Sequence, residues 1–380
     1  MKKHLSLLAA LAMGAAVVTS CTDDEVSVNS TPADPGTTPV PAASVQNGVF
    51  VINSGNMYGG IPGSITYYDF TTQQARQNIF ATLNGRSIGM TPNAGIIYGS
   101  KLYVAVDGEN RVEVVDAASQ LALDHVSTTD LLGAAGGKSP RHLLAHDGRV
   151  YVSTYGGCVA AIDTVDYSLK ATYTVGSYPE GMALIGNTLY VACSDYGMGL
   201  APCVSAIDLT AGTVTAITDE NINNPSQLVA AGGDLYIVDG DLYNADWTAV
   251  LKAGGLRKYA DGTVTPVTVT NMAMGADMTA AYEDKLYIVT DAYSGSPKLA
   301  VYDCATGSLE ERSLAGVEIP NSIAIDPTSG EIFVTSYRFN AETGYGDYFA
   351  PGYVARYSLD GQLLGTFEAG IDPRGIVFNH

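Results

Sequence analysis

The chain has 380 residues, a formal net charge of −20 and only 15% charged side chains, alongside 42 glycines and 24 tyrosines. Ordinary soluble proteins carry roughly 25% charged residues, so polar charge is scarce as well as strongly one-signed. A surface this acidic repels phosphate backbones, which excludes nucleic acid as a partner.

The chain opens with an export signal over residues 1–20: Lys2 and Lys3, then the apolar stretch Leu5 to Val18, then Thr19-Ser20. The run Val18-Thr19-Ser20-Cys21 resembles a bacterial lipobox, which implies a lipidated Cys21 at the mature N-terminus; the alternative is a plain secretory peptide with an incidental cysteine. The apolar stretch is too short to remain as a membrane span, so the lipid would make the protein anchored, not spanning. Thr22-Asp23-Asp24-Glu25 is similar to the signal that sends Bacteroidetes lipoproteins to the outer face of the outer membrane, which implies a surface-exposed location. Residues 21–47 place Pro32, Pro35, Pro39 and Pro41 among Ser, Thr, Ala and Gly. Such composition cannot bury a core and predicts a disordered tether.

From residue 48 a short apolar β run with one fixed aromatic recurs. The aromatics are Phe50, Tyr103, Tyr151, Tyr190, Tyr236, Tyr287 and Phe333, spaced 39 to 53 residues apart. That period is one four-stranded blade, so residues 48–380 are predicted to form an all-β, seven-bladed β-propeller. Blade two is the clearest: an inner strand Pro92 to Ile97, a second strand Lys101 to Val106, a turn at 107–110, a third strand Arg111 to Asp116 and an outer strand Leu121 to Val126. Inner strands elsewhere open at Pro140, Pro179, Pro225, Pro320 and Pro373, whereas blade six has Gly275-Ala276-Asp277 in the proline's place. The aspartates ending third strands (Asp69, Asp116, Asp163, Asp208, Asp303) are assigned to turn capping. Blade one lacks an inner strand at its start, and Ile371 to Phe378 is an inner strand with no blade after it. Pairing of this C-terminal strand with the first blade would close the ring.

Four cysteines remain after Cys21. Cys193 ends the second strand of blade four and Cys203 starts its third, so they face each other across a hairpin and are expected to form a disulfide. Cys158 and Cys304 fall in separate blades and are expected to be unpaired. Nucleophile, zinc-helix and phosphate-loop motifs do not occur, and His142 and His146 fall on strand and turn instead of one helical face. No enzymatic activity, cofactor or metal is therefore expected. Asp239-Gly240-Asp241 with Asn244 and Asp246 has the flavour of a calcium loop but lacks the closing glutamate, and reads as a solvated acidic loop.

In a propeller the loop between strands two and three shares a face with the opening of each inner strand. Those loops carry Asn56, Tyr58, Asn110, Tyr155, Tyr196, Tyr243, Trp247, Tyr293, Tyr337 and Tyr345. Rings on solvent-facing loops supply rigid contact area with a hydrogen-bonding tip, unless the loops fold back and pack on themselves. The inner-strand openings add Asn93, Arg141, Asn321 and Arg374 around the channel mouth, either for a ligand with amide, hydroxyl or phosphate groups or to stitch blades together. Taken together, these fourteen residues are the predicted ligand-binding set.

The repeats resemble YncE-like seven-bladed propellers. Phe50-Val51-Ile52-Asn53-Ser54-Gly55-Asn56 followed by Gly63 to Asp69 looks like the first blade of their Bacteroidetes lipoprotein branch. That branch includes the BtuG-type proteins, and the resemblance implies non-catalytic capture of a corrinoid (vitamin B12) and hand-over to a TonB-dependent outer-membrane transporter. Glycan or other nutrient binding by the same face, and a structural or adhesive surface role, stand as alternatives.

Overall fold

The computed structural model describes residues 47–275 and 277–380; the export signal, Cys21 and all of the tether but residue 47 lie outside them. Within this range the chain builds seven four-stranded antiparallel sheets. Blade two runs Pro92–Tyr98, Lys101–Val106, Arg111–Asp116 and Ala122–Ser127 across its sheet. The other inner strands are Pro140–His146, Pro179–Ile185, Pro225–Ala231, Thr279–Tyr282, Ile319–Ile325 and Pro373–Asn379. Each inner strand touches the next and the last touches the first, so the seven line one axis in a closed circuit.

The ring closes as the sequence predicts. Pro373–Asn379 pairs antiparallel with Gly48–Asn53, from Gly48↔Asn379 to Asn53↔Pro373, with a register shift at the Asn53 end. The first sheet therefore takes its inner strand from the C-terminal segment and its other three strands from the start of the domain.

Hydrophobic burial explains the aromatic period. Seven apolar clusters occur, one between each pair of consecutive blades. Successive side chains of a strand point to opposite faces. In Gly48–Asn53, Val49 and Val51 accordingly enter the cluster shared with blade seven, while Phe50 and Ile52 enter the cluster shared with blade two. Every repeat aromatic makes the same choice: Tyr103 packs toward blade three, Tyr151 toward four, Tyr236 toward six and Phe333 toward one. A blade is thus buried on both faces, and its second strand reads as an unbroken apolar run.

The turns follow the assigned capping. Asp69 Oδ1 accepts from the backbone of Thr71 and Thr72 at 2.8 Å each, and Asp116, Asp163, Asp208 and Asp303 repeat the arrangement. Two short helices, Ile79–Asn84 and Thr128–Gly136, and two small hairpins, Leu242–Tyr243 with Val250–Lys252 and Phe339–Asn340 with Tyr345–Gly346, were not foreseen. The second helix is capped by Ser127 Oγ, which accepts from Asp130 N at 3.1 Å. Blade six is irregular where its proline is missing: its inner strand shortens to four residues behind Asp277, whose φ is +65°.

Candidate ligand-binding face

Strand register fixes which loops share a face. The opening of each inner strand lies beside the end of its second strand: Pro92↔Val106, Pro140↔Thr154, Pro179↔Cys193, Pro225↔Asp239, Pro320↔Ser336 and Pro373↔Asn53. The loops between strands two and three therefore surround the channel mouth, as expected. Their apolar side chains are largely in solvent. Tyr58 and Tyr293 are each 76% exposed, and Tyr196, Trp247, Tyr345, Tyr348, Phe349, Met198 and Leu200 are also exposed. Blades two and three carry short loops, so the rim of rings runs from blade four through seven to one.

Neighbouring loops brace one another, which answers whether they collapse on themselves. Asn56 Nδ2 donates to Tyr348 O at 2.8 Å, and Gly59 lies so near the Phe349 ring that a Cβ there would approach it to 2.8 Å. Gly199 similarly abuts Leu242, linking the loops of blades four and five. Trp247 stacks on Tyr243 with ring centroids 5.6 Å apart. Tyr337 behaves differently: it is 7% exposed, packs edge-on against Tyr348 and donates its hydroxyl to Asp372. It is a support for the rim, not part of its open surface.

A second aromatic group sits between blades three and four. Tyr178, absent from the predicted set, lies 5.2 Å from Tyr155 and 5.0 Å from Tyr196 by ring centroids. The available signal was its place immediately before the inner-strand proline. Tyr155 lies under the Arg141 guanidinium, 4.5 Å from ring centre to Cζ, and donates to Glu180. Burial and the Glu180 charge push its phenol well above the usual range. Tyr178, Tyr196 and Trp247 all hold left-handed backbone, with φ of 51°, 54° and 57°. Bulky residues seldom adopt it, so the surrounding loop structure holds these rings at an energetic cost.

The polar residues at the channel mouth mainly join blades. Asn93 Nδ2 donates to Pro140 O at 3.4 Å, Asn321 Nδ2 to Pro373 O at 2.9 Å, and Ser226 Oγ to Met274 O at 3.3 Å, each reaching the next blade. Asn110 Oδ1 accepts from Ser139 N at 2.7 Å in the same fashion. Arg141 bridges Asp107 of blade two at 2.8 Å and Glu180 of blade four at 3.1 Å. For Arg141 the stitching role is the one the geometry supports. Substituting Arg141→Ala leaves two half-buried carboxylates without a cation and should cost roughly 2–4 kcal/mol in urea unfolding. Unchanged stability would contradict that role. Arg374 is less committed. It lies 3.6 Å from Asp372, whose charge raises its pKa, while its buried Nε has no hydrogen-bond partner. It lines a polar cavity of about 270 Å³ on the axis with Gln227 and Asp277.

Two expectations need correction. Cys193 and Cys203 do face each other in register, but both are free and no bridge joins them. The two thiols lie against each other, with the Ser205 hydroxyl 3.5 Å from Cys193 Sγ and 4.0 Å from Cys203 Sγ. Cys158 and Cys304 are free as well. The segment 239–246 is solvated only towards its far end, where Asp246 is exposed. Asp239 is fully buried and accepts from Asn223 N at 3.0 Å and Asn224 N at 2.7 Å, with Arg257 3.7 Å away. Asp241 accepts from Gly254 N at 2.7 Å and Asn244 Oδ1 from Thr248 N at 2.8 Å, so these oxygens brace the long loop of blade five. Among the described residues no group of His, Cys, Asp and Glu is placed to hold a metal ion.

Burial pushes the Asp239 carboxyl up to about 6. An unfolded aspartate titrates near 3.9, so the folded state holds this proton more tightly and the group favours folding more as pH falls from about 6 to about 4. Wild type should therefore gain roughly 2–3 kcal/mol over that window relative to Asp239→Asn. Chemical denaturation of both proteins at pH 7 and pH 4 measures it, and parallel profiles would refute the shift.

A closed ring with one loop-bearing, aromatic rim defines a seven-bladed β-propeller. Residues 47–363 match the family model described as Domain of unknown function (DUF5074), and the chain belongs to that family. Among solved structures it is similar to two Bacteroides proteins each described as a putative 6-phosphogluconolactonase. The one from B. uniformis has a TM-score of 0.59 at 12% identity, covering 87% of this chain and 99% of its own. The one from B. fragilis has 0.57 at 13%, covering 90% and 99%. Hydrazine synthase of Kuenenia stuttgartiensis has 0.56 at 16%, covering 87% and 100%. Likeness at this identity carries the fold alone. No curated protein matches the sequence.

Proposed function

We propose that the protein is a non-catalytic capture protein whose aromatic rim binds a corrinoid and passes it to a TonB-dependent transporter in the outer membrane. The observation that carries this reading is the rim itself: exposed rings from blades four to seven and one around a single mouth, with neighbouring loops braced on each other and Tyr196 and Trp247 on left-handed backbone. Such preorganisation lowers the ordering cost of binding. A corrinoid is a broad disc edged with amides, which suits a platform of tyrosines, Trp247 and backbone acceptors. Lipid attachment at Cys21 and display on the outer membrane belong to the same reading.

Calorimetric titration of the propeller with cyanocobalamin tests it. Saturable binding at micromolar concentration or tighter is expected, and no heat even at high micromolar concentration would end the corrinoid proposal. A glycan array run in parallel distinguishes capture of another nutrient. Hydrolysis of 6-phosphogluconolactone, the activity in the description of two structural neighbours, is expected to be absent, and turnover in a direct assay would overturn the non-catalytic reading.

A further inference from the structure

A cleft of about 630 Å³ opens on the same face between blades one and two, bounded on one side by Gly60 and Pro62 of the loop that carries Tyr58. Its chemistry runs against the acidity of the chain as a whole. Arg86 and Arg111 converge on Glu113, which is completely buried. Arg86 contacts both Glu113 oxygens, while Arg111 Nε lies 3.1 Å from Oε2 and its Nη2 donates to Ile88 O at 3.0 Å. One carboxylate thus fixes two guanidinium groups and neutralises one of them.

The orientation of both arginines is set before any ligand arrives. Arg86 also lies over the Phe80 ring, 4.9 Å from its centroid, and its side chain remains 41% exposed. Arg111 Nη1 has no partner among the described residues. His125 pairs with Glu113 across the strands, stands in solvent and lines the same cleft. Glu109 also lines the cleft and accepts from the backbone N–H of Met90 at 3.4 Å. Planar, preoriented guanidinium donors suit the oxygens of a phosphate or carboxylate.

We propose that this cleft is a second binding site, taking a phosphate or carboxylate group of a small ligand through Arg86, Arg111 and His125. It does not depend on corrinoid capture, and it differs from the channel mouth, where Arg141 is already paired to two acids.

The test is calorimetric titration at low ionic strength with inorganic phosphate in one arm and acetate in the other. Wild type is expected to bind at least one of them saturably in the millimolar range, and the tighter arm identifies the group. Arg111→Gln and Arg86→Gln should each weaken binding at least fivefold. Because either change also disturbs Glu113, two exposed positions keep the test independent of folding. His125→Ala should weaken binding about threefold, and Glu109→Gln should tighten it, with thermal stability unchanged in both. No saturable uptake of either anion by wild type, or affinity unmoved in all four variants, overturns the site. Binding of cyanocobalamin with no anion uptake would sink this proposal alone.

Discussion

Removing residues 371–380 is expected to cost the whole propeller its stability and not merely to shorten it. The segment Pro373–Asn379 is the inner strand of the first sheet and the element that joins the last blade to the first. Without it, the inner edge of Gly48–Asn53 loses its partner, and Val377 leaves the cluster that holds Phe50 and Ile52. Ile376 and Phe378 leave the cluster that holds Phe333 on the other side. Deletion of a single buried aliphatic or aromatic side chain costs about 2–5 kcal/mol, so losing buried Val377, the partly buried Ile376 and Phe378 and the strand's ladder together approaches the 5–15 kcal/mol stability of a typical domain. The truncated protein should be insoluble, or should melt at least 10 °C lower (about 2–4 °C per kcal/mol for domains of this order). Circular dichroism melting compares the two, and coincident curves would mean that the closing strand does not hold the ring.

The second large effect concerns recognition. Tyr58, Trp247 and Tyr293 lie on three separate loops of the rim and all are exposed. Replacing all three with alanine should leave folding within about 0.5 kcal/mol per site, because surface changes away from caps and networks are nearly neutral. Buried aromatic contacts in interfaces each contribute on the order of 1–2 kcal/mol or more. The triple variant should therefore weaken cyanocobalamin binding at least a hundredfold while keeping the wild-type melting temperature. Binding that survived intact would place the ligand elsewhere on the molecule. Tyr337→Phe offers the contrast: it removes the hydroxyl that meets Asp372, beneath the rim, and should disturb stability before it disturbs affinity.

Reading the sequence worked best where a rule repeats. The blade period, the strand bounds of blade two, the capping aspartates and the ring closure were all legible, because each arises from alternation or turn chemistry that recurs many times. Within the binding face, the location of the loops was legible from strand order alone, but the role of each residue was not. Asn93, Asn110 and Asn321 look like ligand donors in the sequence; their partners are carbonyl or amide groups of the next blade, distant in the chain. Tyr178 was missed because it stands in an inner-strand opening instead of a long loop. The register of Cys193 with Cys203 was legible, but the Ser205 hydroxyl beside both thiols was not. Asp239 shows the same limit: in the sequence it is one acid in an acidic stretch, and only the fold shows that it is buried under two backbone amides and an arginine.

The pairing of Gly48 with Asn379 brings both ends of the domain to the side of the disc opposite the tyrosines. Whatever is joined to either end, whether a linker, an affinity handle or a solid support, holds the molecule from behind. Immobilised through its termini, the propeller would present its aromatic rim to the bathing solution, so that tethered and free forms should capture the same ligand equally well.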